Sequence, residues 1–319
     1  MKKCVFIVLT LIILVFIQAT IINNEPATKG ELGKLLFFDT ILSSDSTISC
    51  ASCHKPQFAF ADSAATSRGV GGVLGLRNTP SAMNVALQRI FFWDGRAKTL
   101  EEQALAPIES PDEMNLPIDK ALQRLKENEA YNAYFKKIFN SEPNRRNLGE
   151  ALAAFERGLE TSESPFDRWK YYQDPHAVSD AVKRGFLVFN NKGKCIQCHF
   201  GSNFALDGFR NIGLFNGREL NDSGRASITY DPLDVGKFKI APLRNVAVTA
   251  PYMHNGMLKT LKEVIEFYND PAKVFPNAIN RDSLLAKPLG LTEQEKADLE
   301  DFLIALTDKS FDLNKKNSR

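Results

Sequence analysis

Two five-residue stretches carry the chemistry of this chain: Cys50-Ala51-Ser52-Cys53-His54 and Cys195-Ile196-Gln197-Cys198-His199. Two thiols three residues apart, followed at once by an imidazole, suit covalent attachment of a c-type haem. The thiols add across two vinyl groups on one porphyrin edge, and the next side chain falls under the ring, where its nitrogen can bind iron. A zinc half-site or a Cys-x-x-Cys redox pair would also use two such thiols. Neither requires a histidine directly after both pairs. Four of the five cysteines are spent on these two patterns.

The motifs lie about half the chain apart, and 319 residues favour two domains. Residues 23–163 are expected to form one haem domain and 164–319 a second. Residues 1–22 read as a secretory signal or N-terminal anchor: Lys2 and Lys3 precede an apolar run to Ile17, then Gln18-Ala19-Thr20. Export agrees with thioether-linked haem and points to the periplasm. The net charge of +2 includes the two leader lysines, so the mature chain is near neutral. No basic stripe suggests nucleic acid.

The elements that must position the motifs read as helices. Apolar residues recur at three- and four-residue steps over 118–128, 131–139 and 148–159. A short amphipathic helix is expected over 31–39, and another over 181–190, each running towards a motif. Thr99–Glu102, Thr260–Glu263 and Thr292–Glu295 have the spacing of capping boxes that open helices. Pro107 is expected to end the first of these or to follow it closely, with a loop over 108–117 carrying Glu109, Asp112, Glu113 and Met114. Ser164-Pro165 suits a domain junction with Pro165 as a first helical residue. Residues 56–84 and 208–230 read as long ordered loops. There is almost no strand signal. The expectation is a mainly α protein of two cytochrome-c-like haem domains with long loops.

At Trp93-Asp94-Gly95-Arg96, Gln103, Pro107 and Glu113-Met114 the sequence resembles the bacterial di-haem cytochrome c peroxidases, whose superfamily includes the MauG-like di-haem enzymes. Further matches are Arg77-Asn78-Thr79-Pro80, Leu243-Arg244-Asn245 and Thr249-Ala250-Pro251-Tyr252-Met253-His254-Asn255-Gly256. The resemblance covers nearly the whole mature chain. It implies one haem per domain, held by Cys50, Cys53 and His54 and by Cys195, Cys198 and His199, with the first haem as the peroxide site. It implies that Trp93 relays electrons between them, and that Glu113 and Gln103 line the peroxide pocket. It also implies a calcium ion between the domains, held by Asn78 and the carbonyls of Thr249 and Pro251. Taken alone, each of these residues has a plainer reading: a core tryptophan, a solvated glutamate, a surface glutamine, a turn asparagine.

Two departures from the family pattern stand out. Val70 occupies the loop position where the family's typical peroxidase carries a removable distal histidine. Of the four histidines, two are in the motifs and His176 and His254 lie in the second half. The first haem is therefore expected to be open. Tyr268 stands where the family typically supplies a methionine to the second haem, as in the MauG-like branch, with Met253 and Met257 as rivals. The expected reaction is reduction of hydrogen peroxide with electrons from a small periplasmic cytochrome c or copper protein. Oxidation of a partner protein at long range and simple electron carriage are the alternatives, and a homodimer stays open.

Overall fold

The structure, a computed structural model, describes residues 25–311. The expected leader lies outside them. Among the described residues the chain is mainly helical, and no helix is long and apolar enough to cross a membrane. The only strands there are Phe209–Arg210 and Phe238–Lys239, an antiparallel pair of two residues each.

The helix Lys29–Phe38 starts two residues before the expected position. Thr28 and Glu31 close a capping box that the sequence reading passed over: Glu31 N donates to Thr28 Oγ1 at 3.2 Å and Thr28 N to Glu31 Oε2 at 3.0 Å. Leu32, Leu36 and Phe37 recur at helical spacing and are buried. They join Ile108, Leu125, Phe135 and Leu152 in one core. Helices Leu100–Glu109, Ile118–Glu127, Glu129–Phe139 and Arg145–Arg157 surround it. A second core gathers Phe166, Phe189, Ile265, Leu299 and Phe302 from the later helices. Each fully buried side chain of this size contributes roughly 1.5–3 kcal/mol.

The same crossing occurs twice. Helix Lys29–Phe38 packs on Arg145–Arg157, and helix Asp180–Asn190 packs on Glu293–Ile304. Each crossing runs through a glycine. A Cβ on Gly33 would sit 1.9 Å from the carbonyl oxygen of Ala151, and one on Gly185 1.8 Å from that of Asp298. Only the lack of a side chain lets the backbones approach so closely. In both cases the first helix of the pair is the one that precedes a Cys-x-x-Cys-His motif, with a 3-10 turn at Thr40–Leu42 between them in the first half.

Several expected boundaries shift. Pro107 lies inside helix Leu100–Glu109 and does not end it, so the acidic loop begins at Ser110. Proline there removes only the hydrogen bond to the Gln103 carbonyl, and the following turn is held instead by Met114 N to Pro107 O at 3.1 Å and Leu116 N to Ile108 O at 2.7 Å. At Thr99 only half a capping box forms, because Glu102 Oε2 accepts from Lys98 N at 2.9 Å. The boxes at Thr260–Glu263 and Thr292–Glu295 close as expected, and Pro165 takes the first helical position.

Candidate haem sites and the cavity between them

Both motif histidines are oriented in the same way. His54 Nδ1 lies 2.9 Å from the carbonyl oxygen of Phe60, and His199 Nδ1 lies 2.9 Å from that of Phe204. A carbonyl only accepts, so each Nδ1 carries the proton and each Nε2 presents a lone pair. Burial lowers the pKa of both rings, against the pull of these carbonyls and of Pro80 and Ala241, and so keeps them neutral. Phe60 and Phe204 both have positive φ, 55° and 51°, which turns their carbonyls back onto the imidazoles. All four motif thiols are free. Burial raises the pKa of Cys50, Cys53 and Cys195, so each is a neutral thiol.

Glu113 comes to the first motif. Its negative charge opposes ionisation of both Cys50 and Cys53. Burial raises the Glu113 pKa, against the attraction of Arg96 and a hydrogen bond from Ser110, while Asp112 adds to the rise. Its loop is pinned from three sides: Val70 N donates to Glu113 O at 2.8 Å, Ser44 N to Met114 O at 2.9 Å, and Met114 N to Pro107 O. Gly69 packs so closely that a Cβ would lie 2.3 Å from Asp112 O. The loop carrying Val70 is thus docked on the Glu113 loop. Gln103 lies on helix Leu100–Glu109, one turn before Pro107, and is half-buried.

The second motif opens onto a cavity of about 260 Å³. Cys195, Cys198, His199 and Tyr268 line it, and so do Trp93, Asn78, Thr249 and Pro251 from the far wall. Met253 also lines it; Met257 does not, and its Sδ lies 3.5 Å from Asn255 Nδ2. Burial raises the Tyr268 pKa, with smaller rises from Cys198 and Cys195. Trp93 is tied at both polar groups: Nε1 donates to Asn78 O at 2.8 Å, and its carbonyl accepts from Lys239 N at 2.8 Å. Asn78 N donates to His254 O at 2.7 Å, and Asn78 Nδ2 points to the carbonyls of Ala64 and Ala65, each at 3.2 Å.

Trp93 therefore connects by short bonded paths to both histidines. Asn78 leads through Thr79 to Pro80, whose carbonyl faces His54, and Lys239 leads through Ile240 to Ala241, whose carbonyl faces His199. Below Trp93, Arg77 clamps Asp222 through Nε at 2.7 Å and Nη2 at 2.8 Å, and Asp94 through Nη1 at 2.6 Å. His254 stacks on Phe238, ring centroids 3.6 Å apart. Burial, with Arg77, brings its pKa down to about 4 against the pull of Asp222, so it is neutral.

Some residues at these sites escaped the sequence reading. Phe60 and Phe204 supply the carbonyls that orient the histidines; a phenylalanine five or six residues after each motif histidine was the available signal. Asn203 is 6 % exposed, lines the cavity, and has no hydrogen-bond partner for either side-chain amide atom. Buried amides are seldom left so, which marks a polar group of a ligand as the missing partner. Paired thiols, a histidine with a free Nε2 and a largely apolar cavity with such an amide fit a c-type haem.

A mainly helical chain with two such Cys-x-x-Cys-His sites is a di-haem c-type protein in its architecture. Residues 27–175 match the family described as di-haem cytochrome c peroxidase. The methylamine utilization protein MauG of Methylorubrum extorquens is 39 % identical over 89 % of this chain and 79 % of its own length. The cytochrome c551 peroxidase of Nitrosomonas europaea is 36 % identical over 77 % of this chain and 74 % of its own. A solved MauG-like protein associated with microbial copper homeostasis superposes with a TM-score of 0.80 at 31 % identity, covering 90 % of this chain and 92 % of that one. The chain belongs to the di-haem cytochrome c peroxidase family. Membership makes it a di-haem oxidoreductase of the peroxidase class and implies two c-type haems.

Proposed function

We propose that the protein is an exported, periplasmic enzyme that reduces hydrogen peroxide to two waters, taking two electrons from a small c-type cytochrome or copper protein and two protons. Its two halves, 23–163 and 164–319, act as cytochrome-c-like haem domains, a reading supported by the repeated helix crossing that leads into each motif. Cys50, Cys53 and His54 hold one haem, and Cys195, Cys198 and His199 the other. The haem at His54 supplies the iron at which the O–O bond is broken.

The observation that carries this reading is the half-buried carboxyl of Glu113 beside Cys50 and Cys53, its pKa raised by desolvation. Cleaving peroxide to water requires a proton to be taken from one of its oxygens and returned to the other. A carboxyl whose pKa is raised by burial can take that proton and return it. Gln103 helps to hold peroxide or water. Trp93, bonded towards both histidines, carries electrons between the halves. Tyr268, which lines the same cavity as His199, would supply the haem held there with an oxygen donor, which favours the oxidised iron. Asn78 Oδ1 and the carbonyls of Thr249 and Pro251 would hold a calcium ion. The Asn78 amide nitrogen is already committed to Ala64 and Ala65, which leaves its oxygen for a hard cation. Among the described residues no three His, Cys, Asp or Glu side chains form a metal cluster, so such an ion relies on amide and carbonyl oxygens.

Val70 in place of a distal histidine, and the MauG relatives, favour a second reading: an oxidase that draws electrons from a partner protein through Trp93. Turnover of reduced cytochrome c with peroxide separates the two. For the proton role, Glu113→Gln is expected to lower peroxide turnover by about 10² or more with both haem spectra nearly unchanged. Wild-type turnover in that variant would move the base elsewhere, Asp112 and Glu109 being next in the loop.

A further inference from the structure

The cavity wall beside Trp93 holds a cation that forms no ion pair with any anion among the described residues. Half-buried Lys239 lines the cavity, and Nζ donates to Gln88 Oε1, a neutral acceptor, at 2.8 Å. Burial pulls its pKa down to about 8, against the attraction of Asp207. Asp207 forms no ion pair with it and lies 3.8 Å from Arg89 Nε. Of the other charged groups lining the cavity, Arg210 pairs with Asp282 at 3.4 Å and Arg244 with Asp167 at 2.8 Å, while Lys194 is exposed to solvent. His254 is neutral. Asn203, with its two unpartnered amide atoms, lines the same cavity and borders the same small recess as Gln88 and Lys239.

A buried ammonium calls for an anion, and an unpartnered amide N–H calls for an acceptor. A carboxylate satisfies both at once. The ligand assigned to this cavity carries two carboxylates, its propionates, and is otherwise apolar. We infer that Lys239 and Asn203, with Gln88 steadying the lysine, form the carboxylate-binding corner for the haem held by Cys195, Cys198 and His199, and that the charge of Lys239 sets that haem's reduction potential. The inference rests on the haem assignment made above. Lys239 acts as a positioning and electrostatic residue. Its backbone N–H also holds the Trp93 carbonyl, so the same residue fixes the relay and tunes the haem to which the relay leads.

Reduction adds one negative charge, which a nearby fixed cation stabilises. Removing the cation must therefore make this haem harder to reduce. The test is spectroelectrochemical titration of the full two-haem protein, with the haems told apart by their EPR signals. Lys239→Met is expected to shift the reduction equilibrium of the haem at His199 towards the oxidised form by about tenfold or more, some 59 mV for one electron. Lys239→Arg keeps the charge and should stay near wild type, and the haem at His54 should hold its potential in both. Asn203→Leu keeps the cation and the volume. It should lower the same potential by a smaller amount and move the propionate bending bands in resonance Raman spectra, so the proposal does not hang on one variant folding. Unchanged potentials and bands in Lys239→Met and Asn203→Leu, with two covalent haems per chain by pyridine haemochrome, would overturn this inference alone. One covalent haem per chain, at Cys50 and Cys53, would overturn the underlying assignment and the inference with it.

Discussion

Replacing Arg244 by leucine should cost stability in a way whose pH dependence identifies the cause. Arg244 Nη1 and Nη2 each lie 2.8 Å from an oxygen of Asp167, and Nε donates to Ser202 O at 2.6 Å. The two side chains are only 8 % and 2 % exposed. The guanidinium thus ties the first helix of the second core to the backbone just before Asn203. Without it, Asp167 keeps hydrogen bonds from Ser164 N at 3.0 Å and Ser164 Oγ at 2.7 Å but has no cation. Removing one partner of a buried pair costs about 3–5 kcal/mol, because the remaining charge stays desolvated. In the wild type, burial would raise the Asp167 pKa, but the Arg244 and Ser164 hydrogen bonds and the Arg244 charge outweigh it and hold it below the usual value. A carboxyl depressed in this way stabilises the fold above its unfolded pKa of about 3.9, and that contribution is lost as pH falls through the folded value. In Arg244→Leu the folded pKa rises instead, and protonation relieves the stranded charge. Denaturant unfolding of the haem-loaded protein should show a gap of about 3–5 kcal/mol at pH 7 that narrows steadily towards about pH 4. Asp167→Asn added to Arg244→Leu should recover most of the loss at pH 7. A gap below about 1 kcal/mol at pH 7, or one independent of pH, would refute the reasoning.

Two further outcomes follow from buried groups. Burial pushes the Glu156 carboxyl up to about 8, with Arg157 opposing and Glu101 adding to the rise. Its folded form holds a proton that the unfolded chain releases above about pH 4.3, so stability falls as pH rises between those values. Glu156→Gln should be near neutral at pH 5 and stabilising by roughly 1 kcal/mol or more at pH 8 in paired denaturant titrations. Tyr268→Phe should change the optical and EPR spectrum of the haem at His199 and leave the other unchanged; an untouched spectrum would transfer the ligand role to Met253, the methionine that lines the cavity.

What the chain determined by itself was local. Cys50–His54 and Cys195–His199 are five-residue patterns whose chemistry depends on spacing alone. Thr260–Glu263, Thr292–Glu295 and Pro165 mark helix starts through contacts three residues long or less. Thr28–Glu31 was legible by the same rule. The tertiary structure decided what depends on partners distant in sequence. The proximal rings are aimed by carbonyls that two positive-φ phenylalanines turn back. The two helix crossings require Gly33 against Ala151 and Gly185 against Asp298, over a hundred residues away. Pro107 is tolerated within its helix because the next loop folds back to it. Glu113 reads in sequence as one of several acids in a polar loop; its desolvation in the fold, with Asp112 adding to it, raises its pKa. Nothing in the local spacing of Lys239 and Asn203 marks them out. Their neighbours alone show a buried cation and a buried amide facing one cavity, because desolvation and charge pairing are properties of three-dimensional surroundings that spacing along a chain does not encode.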